Sequence, residues 1–136
     1  MKKRRVMGFG TFDAVHPGHL FYLRELKKLG DELIIVIARD KNVEKIKGKM
    51  PHFSEELRKK HIEEAGIADK VILGDLEDFY KPVRDFAPEV LGLGYDQKAD
   101  IKKLHETFPK LEVKHIKAHH PDKYKSSIMK AKLNRI

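Results

Sequence analysis

Apolar residues along this chain fall into short continuous runs that alternate with stretches where they recur at every third or fourth position. Arg5-Val6-Met7-Gly8-Phe9 reads as a buried strand, and Leu20, Leu23, Leu26 and Leu29 follow it at helical spacing. Leu33-Ile34-Ile35-Val36-Ile37-Ala38 is apolar throughout, as expected of a parallel strand covered on both faces. Residues 40–50 are basic and lack a clear period, which predicts a loop carrying no more than a helical turn. Ser54 with Glu55 and Glu56 marks a helix start, Leu57, Ile62 and Ala65 supply its apolar side, and Gly66 ends it. Val71 to Leu73 predicts a third strand, 78–86 a short helix, and Val90 to Leu93 a fourth strand. A helix over 99–107, a fifth strand over Leu111 to Ile116 and a closing helix from Ser126 complete the series.

Strands alternating with helices in a chain of this length predict an α/β fold. The expected form is a three-layer, Rossmann-like domain with a five-stranded parallel sheet in the order 3-2-1-4-5, spanning residues 1–136 as one unit. Ligands of such sheets gather at the carboxyl ends of the strands, where the order reverses. The loops after the first and fourth strands then face each other across a crevice. Gly94-Tyr95-Asp96-Gln97 in the second of these loops offers Gly94, Asp96 and Gln97 to a base and ribose.

The first of those loops carries the densest chemistry in the chain. Gly8-Phe9-Gly10-Thr11-Phe12-Asp13-Ala14-Val15-His16-Pro17-Gly18-His19 joins strand to helix through two histidines and three glycines. Pro17 suits the first helical turn, so His16 falls near the N-cap and His19 on the first turn, toward the same side. Free N–H groups and the positive end of the helix dipole favour an anion there. Glycines allow close approach of a polyphosphate, and imidazoles supply donors that strengthen as charge develops on a transferring phosphoryl group. The bland alternative makes both histidines ordinary loop and helix-surface residues. A zinc site is the sharper rival, but there is no cysteine and no obvious third or fourth ligand beside them.

The string GTFDxxHPGHL resembles the signature of the HxGH nucleotidyltransferase superfamily in its cytidylyltransferase-like branch. That resemblance implies a HUP-type fold and transfer of a nucleoside monophosphate from an NTP to a phosphate-bearing acceptor, with release of pyrophosphate. It implies that His16 and His19 are catalytic, together with Lys47 and Lys49, which resemble the loop lysines of that branch. Gly10, Thr11, Phe12 and Gly18 then line the nucleotide site. Arg58 falls where the branch places a basic residue after a similar loop; its bland reading is an exposed helix arginine. Asp13 and Asp40, at neighbouring strand ends, orient the acceptor or hold a divalent cation through water, so that Asp13, Asp40 and Arg58 form the expected acceptor site. Mg2+ is expected to accompany the nucleotide.

Within the branch, Ala38-Arg39-Asp40, Lys45-Ile46-Lys47-Gly48, Pro51, Glu55-Glu56-Leu57-Arg58 and Leu73-Gly74-Asp75 look most like archaeal FAD synthases, which adenylylate FMN with ATP. Gly94-Tyr95-Asp96-Gln97 is closer to their Gly-x-Asp-Gln pattern than to the Gly-Asp-Asp-Trp pattern of glycerol-3-phosphate cytidylyltransferases. Two features depart. The superfamily's arginine-containing string near its end is represented only by Lys123-Tyr124-Lys125-Ser126-Ser127-Ile128, where Lys123 or Lys125 stands in for the arginine and Ser126 and Ser127 cap a helix and donate to phosphate. The cysteines associated with the end of archaeal FAD synthases are absent.

Composition narrows the partners. A formal charge of +8 implies attraction to polyanions, and residues 114–136 hold seven Lys or Arg against the single acid Asp122. ATP or CTP and a phosphate-bearing small molecule, FMN favoured, fit that charge. Glycerol 3-phosphate with CTP, or a sugar phosphate as in lipopolysaccharide-core adenylyltransferases, stands behind FMN. A reading from another class, a basic nucleic-acid-binding module, lacks a recognised motif or interleaved aromatic platform. Absence of cysteine, of a long apolar stretch and of a signal-peptide pattern points to the cytoplasm and away from a membrane. The resemblance, whose members are commonly dimers, implies a homodimer, to which Ile128, Met129 and Leu133 on the expected closing helix would contribute; the ordinary alternative makes those three residues core.

Overall fold

A computed structural model describes residues 4–94 and 101–116 of the chain. Five parallel strands form one sheet in the order β3-β2-β1-β4-β5: β1 (Arg5–Gly10), β2 (Glu32–Ile37), β3 (Lys70–Leu73), β4 (Val90–Leu93) and β5 (Glu112–His115). β1 lies at the centre, with Val6 opposite Leu33 of β2 on one side and Val90 of β4 on the other. The expected order and the expected parallel α/β class both hold.

Successive residues of a strand point to opposite faces, and β2 shows what that requires of a sheet covered twice. Leu33, Ile35 and Ile37 pack with Val6 against Tyr22, Leu23 and Leu26 of α1 (Pro17–Lys27) and Ile62 of α3 (Glu55–Ala65). Ile34 and Val36 join Met7, Leu91 and Leu93 on the other face, under Val83 of α4 (Lys81–Phe86) and Leu104 of α5 (Ile101–Thr107). Each of these aliphatic side chains is buried, at about 1.5–3 kcal/mol apiece relative to exposure.

α1 sits unusually close to the sheet because two strand residues have no side chain. A Cβ at Gly8 or at Gly92 would collide with the Leu26 methyl groups, so Leu26 nests across β1 and β4. Tyr22 Oη donates to the Gly92 carbonyl at 2.7 Å. These contacts fix the helix whose first turn carries the histidines.

Three expectations need correction. Residues 40–47 are not loop but helix α2 (Asp40–Lys47), with Asp40 in its first turn, Lys45 and Lys47 in its last, and Gly48 ending it at φ 81°. Its period was hidden because Val43 is its one buried residue and Ile46 is 83% exposed. On α3, Ile62 is buried as expected, but Leu57 is 45% exposed and Arg58 stands on the buried face. The short helix expected over 78–86 begins only at Lys81, since Asp75 and Asp78 hold the preceding residues in turns. Ser54 and Gly66 cap α3 as expected, Ser54 Oγ accepting from Leu57 N at 3.3 Å. The expected closing helix lies outside the described residues.

Candidate active site

The turn from β1 into α1 is built by three local constraints. Phe12 adopts φ 51°, a conformation that costs a non-glycine residue free energy, and its ring is buried over Gly10, edge-on to His19 at 5.2 Å. His16 is the N-cap of α1: its backbone is extended and its Nδ1 accepts from Gly18 N at 3.1 Å. Pro17 occupies the first turn, where no donor is lost.

His16 and His19 lie as parallel rings with centroids 3.8 Å apart and planes inclined by 22°. Gly18 makes this possible, because a Cβ there would press on His16 Cε1 at 3.0 Å and Nδ1 at 3.2 Å. Since the Gly18 N–H donates to Nδ1, the proton of the neutral His16 ring resides on Nε2. Burial lowers the His16 pKa below the ordinary histidine value and so favours this neutral form. Two stacked imidazoles at a helix N-terminus therefore present donor capacity without two full positive charges. The backbone donors of the first turn, expected free, are engaged by His16 itself, Gly18 N on Nδ1 at 3.1 Å and His19 N and Leu20 N on its carbonyl at 2.9 and 3.1 Å, so an incoming anion meets the imidazoles and the positive end of the helix dipole.

Asp13, Asp40 and Arg58 are brought together as expected, but their polar atoms face the protein. Arg58 is 0% exposed. Its Nε donates to the Phe53 carbonyl at 3.0 Å, Nη1 to the Thr11 carbonyl at 2.9 Å, and Nη2 to Asp40 Oδ1 at 2.6 Å. It is not an exposed helix arginine, and in this arrangement none of its surface is open to an acceptor. Asp13 accepts from His52 N at 2.7 Å and Phe53 N at 2.8 Å. Burial pushes the Asp13 pKa up, but the two backbone donors, with Arg58 and His52 nearby, outweigh it and hold the carboxyl below the usual range.

A second exchange joins α2 to α3. Asp40 N donates to Glu55 Oε1 at 2.8 Å while Glu55 N donates to Asp40 Oδ2 at 3.3 Å, so each helix start is capped by the other's carboxylate. Arg39 extends the lattice, its Nε donating to Glu55 Oε2 at 3.0 Å and its Nη1 to the Gly74 carbonyl at 3.2 Å. The loops after β1, β2 and β3 are thus tied into one frame behind the histidine turn. Glu55, Arg39 and the Asp13 clasp on residues 52–53 were missed from sequence, where a charged residue after a turn signals only solvation or a cap.

Lys47 ends α2 and Lys49 follows Gly48; both are exposed, and Lys49 lies three residues before the His52 amide that Asp13 holds. Gly94 is buried at the carboxyl end of β4, beside β1. Asp96, Gln97, Lys123, Lys125, Ser126 and Ser127 lie outside the described residues. Among the described residues no three histidine, aspartate or glutamate side chains converge on a cation position.

The family model described as cytidylyltransferase-like matches residues 7–132. An FAD synthase of Aciduliprofundum boonei is 46% identical over 110 residues, covering 81% of this chain and 73% of that protein. An FAD synthase of Archaeoglobus profundus is 49% identical over 106 residues, covering 78% and 67%. Among solved structures, a lipopolysaccharide core biosynthesis protein of Thermoplasma volcanium superposes with TM-score 0.77 at 42% identity, covering 87% of this chain and 98% of that one. A pantoate-beta-alanine ligase of Francisella tularensis, at 14% identity and TM-score 0.61 over 87% and 60%, shares the fold.

Proposed function

The chain belongs to the cytidylyltransferase-like family, and from that premise we propose that it makes FAD, moving AMP from ATP to the phosphate of FMN and releasing pyrophosphate. The observation that carries the reading is the stacked His16–His19 pair at the N-terminus of α1, in a chain nearly half identical to archaeal FAD synthases.

An FMN phosphate oxygen attacks the α-phosphorus of ATP in line. The new P–O bond forms as the bond to the β-phosphate bridge breaks, and the electron pair leaves with pyrophosphate. The nucleophile is already anionic, so no general base is required. The chain's task is to position and neutralise. His16, through Nε2–H, and His19 donate to phosphate oxygens as charge shifts toward the leaving group. Gly10, Thr11, Phe12 and Gly18 shape the turn around the triphosphate, and Lys47 and Lys49 close on it from the connection that returns to Asp13. Gly94, Asp96 and Gln97 contact the base and ribose, and Lys123, Lys125, Ser126 and Ser127 take part in holding phosphate. Asp13, Asp40 and Arg58 act as positioning residues through the frame they build. Mg2+ bound with ATP would supply charge neutralisation on its phosphates.

The site is cytoplasmic, where both substrates are at hand, and the chain works as a homodimer. Among the described residues no helix is long and apolar enough to cross a membrane. A sugar phosphate is the second acceptor to weigh, because the similar Thermoplasma volcanium protein is described as one of lipopolysaccharide core biosynthesis. Pyrophosphate release measured with ATP or CTP against FMN, glycerol 3-phosphate and a panel of sugar phosphates decides. FAD formed from ATP and FMN is the expected result; turnover confined to the sugar phosphate or to CTP would overturn it.

A further inference from the structure

Phe79 is the one aromatic among the large apolar side chains left exposed in the described residues, and it is 51% exposed. It is not loosely placed. One face of its ring stacks on Phe9 of β1, with centroids 4.6 Å apart and planes inclined by 27°. Its edge meets Tyr80 at 5.6 Å, and Tyr80 in turn meets Phe108 at 5.8 Å.

The backbone that presents it is held at both ends. Asp75 accepts from Glu77 N at 3.0 Å and Asp78 N at 2.7 Å, and Asp78 accepts from Tyr80 N at 2.9 Å and is paired with Arg84. Asn42 of α2 donates to the Asp75 carbonyl at 3.1 Å, and Arg39 to that of Gly74. A rigid loop that spends this many hydrogen bonds to keep an aromatic ring half in water is prepared for a flat partner.

Position and charge select which flat partner. Phe9 directly precedes Gly10, so the stack stands at the carboxyl end of the central strand, where the histidine turn begins. The loop reaches there from β3, the side of the crevice opposite β4, whose loop is assigned to the nucleoside base. Asp75, Glu77 and Asp78 make this loop acidic in a chain of net charge +8. Such a loop repels phosphate and tolerates a neutral ring. We infer that the Phe9–Phe79 stack is the platform for the isoalloxazine ring of the flavin acceptor, with the ribityl chain leading its phosphate toward the His16–His19 turn. The inference rests on FMN being the acceptor.

The test separates the two. Full-length protein and its Phe79→Ala, Phe79→Leu and Phe79→Trp variants are titrated with FMN and with riboflavin while flavin fluorescence is read, and KM is measured for FMN and ATP. Expected are strong quenching by the wild type and a KM for FMN raised on the order of 10-fold in Phe79→Ala, as stacking on an aromatic contributes. Phe79→Leu fails to quench, Phe79→Trp restores both readouts, and kcat and KM for ATP hold steady throughout. A rise in KM for ATP instead overturns the assignment in favour of adenine. A fall in melting temperature with unchanged FMN parameters overturns it in favour of packing. If the wild type makes FAD yet Phe79→Ala binds FMN normally, the platform alone is wrong; if the wild type neither binds nor adenylylates FMN, the acceptor reading falls and the platform with it.

Discussion

His16 combines two duties that substitution can separate: Nδ1 is engaged by the helix, and the proposed reaction uses Nε2. His16→Asn keeps a side-chain acceptor at the N-cap, so its melting temperature should stay near that of the wild type while turnover falls by at least 100-fold. His16→Ala should lose turnover and also about 1 kcal/mol of stability, as read by urea unfolding. Gly18→Ala should lower kcat without abolishing ATP binding, since its methyl displaces the His16 ring and meets no other part of the turn. The pH dependence follows from the lowered His16 pKa. A folded-state pKa below the unfolded 6.5 means that the unfolded chain binds the proton first, so stability from this group is complete above about pH 7 and declines as pH falls through 6.5 toward the folded value. The acid limb of kcat/KM should lie below the ordinary histidine value, and His16→Asn should remove that histidine's contribution to the pH dependence of unfolding.

Among the elements, α3 shows where sequence pattern stops being informative. Ser54 and Gly66 announce its ends through chemistry that acts within a turn, and both are where composition places them. The buried face depends on what lies across the interface, and there a charged side chain displaced an apolar one: Arg58 goes in because three acceptors, from two loops and the first turn of α2, await it, and Leu57 stays out. The same limit hid α2 and the exchange of carboxylates between Asp40 and Glu55, which join residues far apart in the chain. The positive φ of Phe12 was equally illegible, since only the packed ring enforces it. Strand β2, by contrast, was plain because burial on both faces demands an unbroken apolar run. Arg58→Met should therefore cost about 3 kcal/mol, more than an exposed arginine could, by leaving Asp40 and two carbonyls without their donor. Arg58→Lys should recover only part of this, because one ammonium cannot reproduce the planar fork. Equilibrium unfolding checks both, and kcat should fall with stability held by a lowered assay temperature if the frame positions the turn.

At the scale of the molecule, charge and chain order govern behaviour. With +8 overall and polyanionic substrates, KM for ATP should rise steadily with added salt, whereas kcat should change little, since screening weakens capture more than chemistry within the closed turn. Light scattering at micromolar concentration is expected to give twice the 15.8 kDa chain mass, and a monomer retaining full activity on dilution would contradict the dimer. The central position of β1 has a further consequence, one of time. This strand is synthesised before both of its neighbours, so its Val6 waits for Leu33 on one edge and for Val90 on the other. Parallel pairing across such separations is slow to nucleate. The histidine turn follows this central strand, which is enclosed on both edges only once β4 has paired, so during synthesis or refolding the chain should acquire helix well before it acquires the ability to bind nucleotide. Stopped-flow refolding followed in parallel by far-ultraviolet ellipticity and by a fluorescent ATP analogue should show that lag, and fragments ending before β4 should fill the interval as helical, nucleotide-blind intermediates.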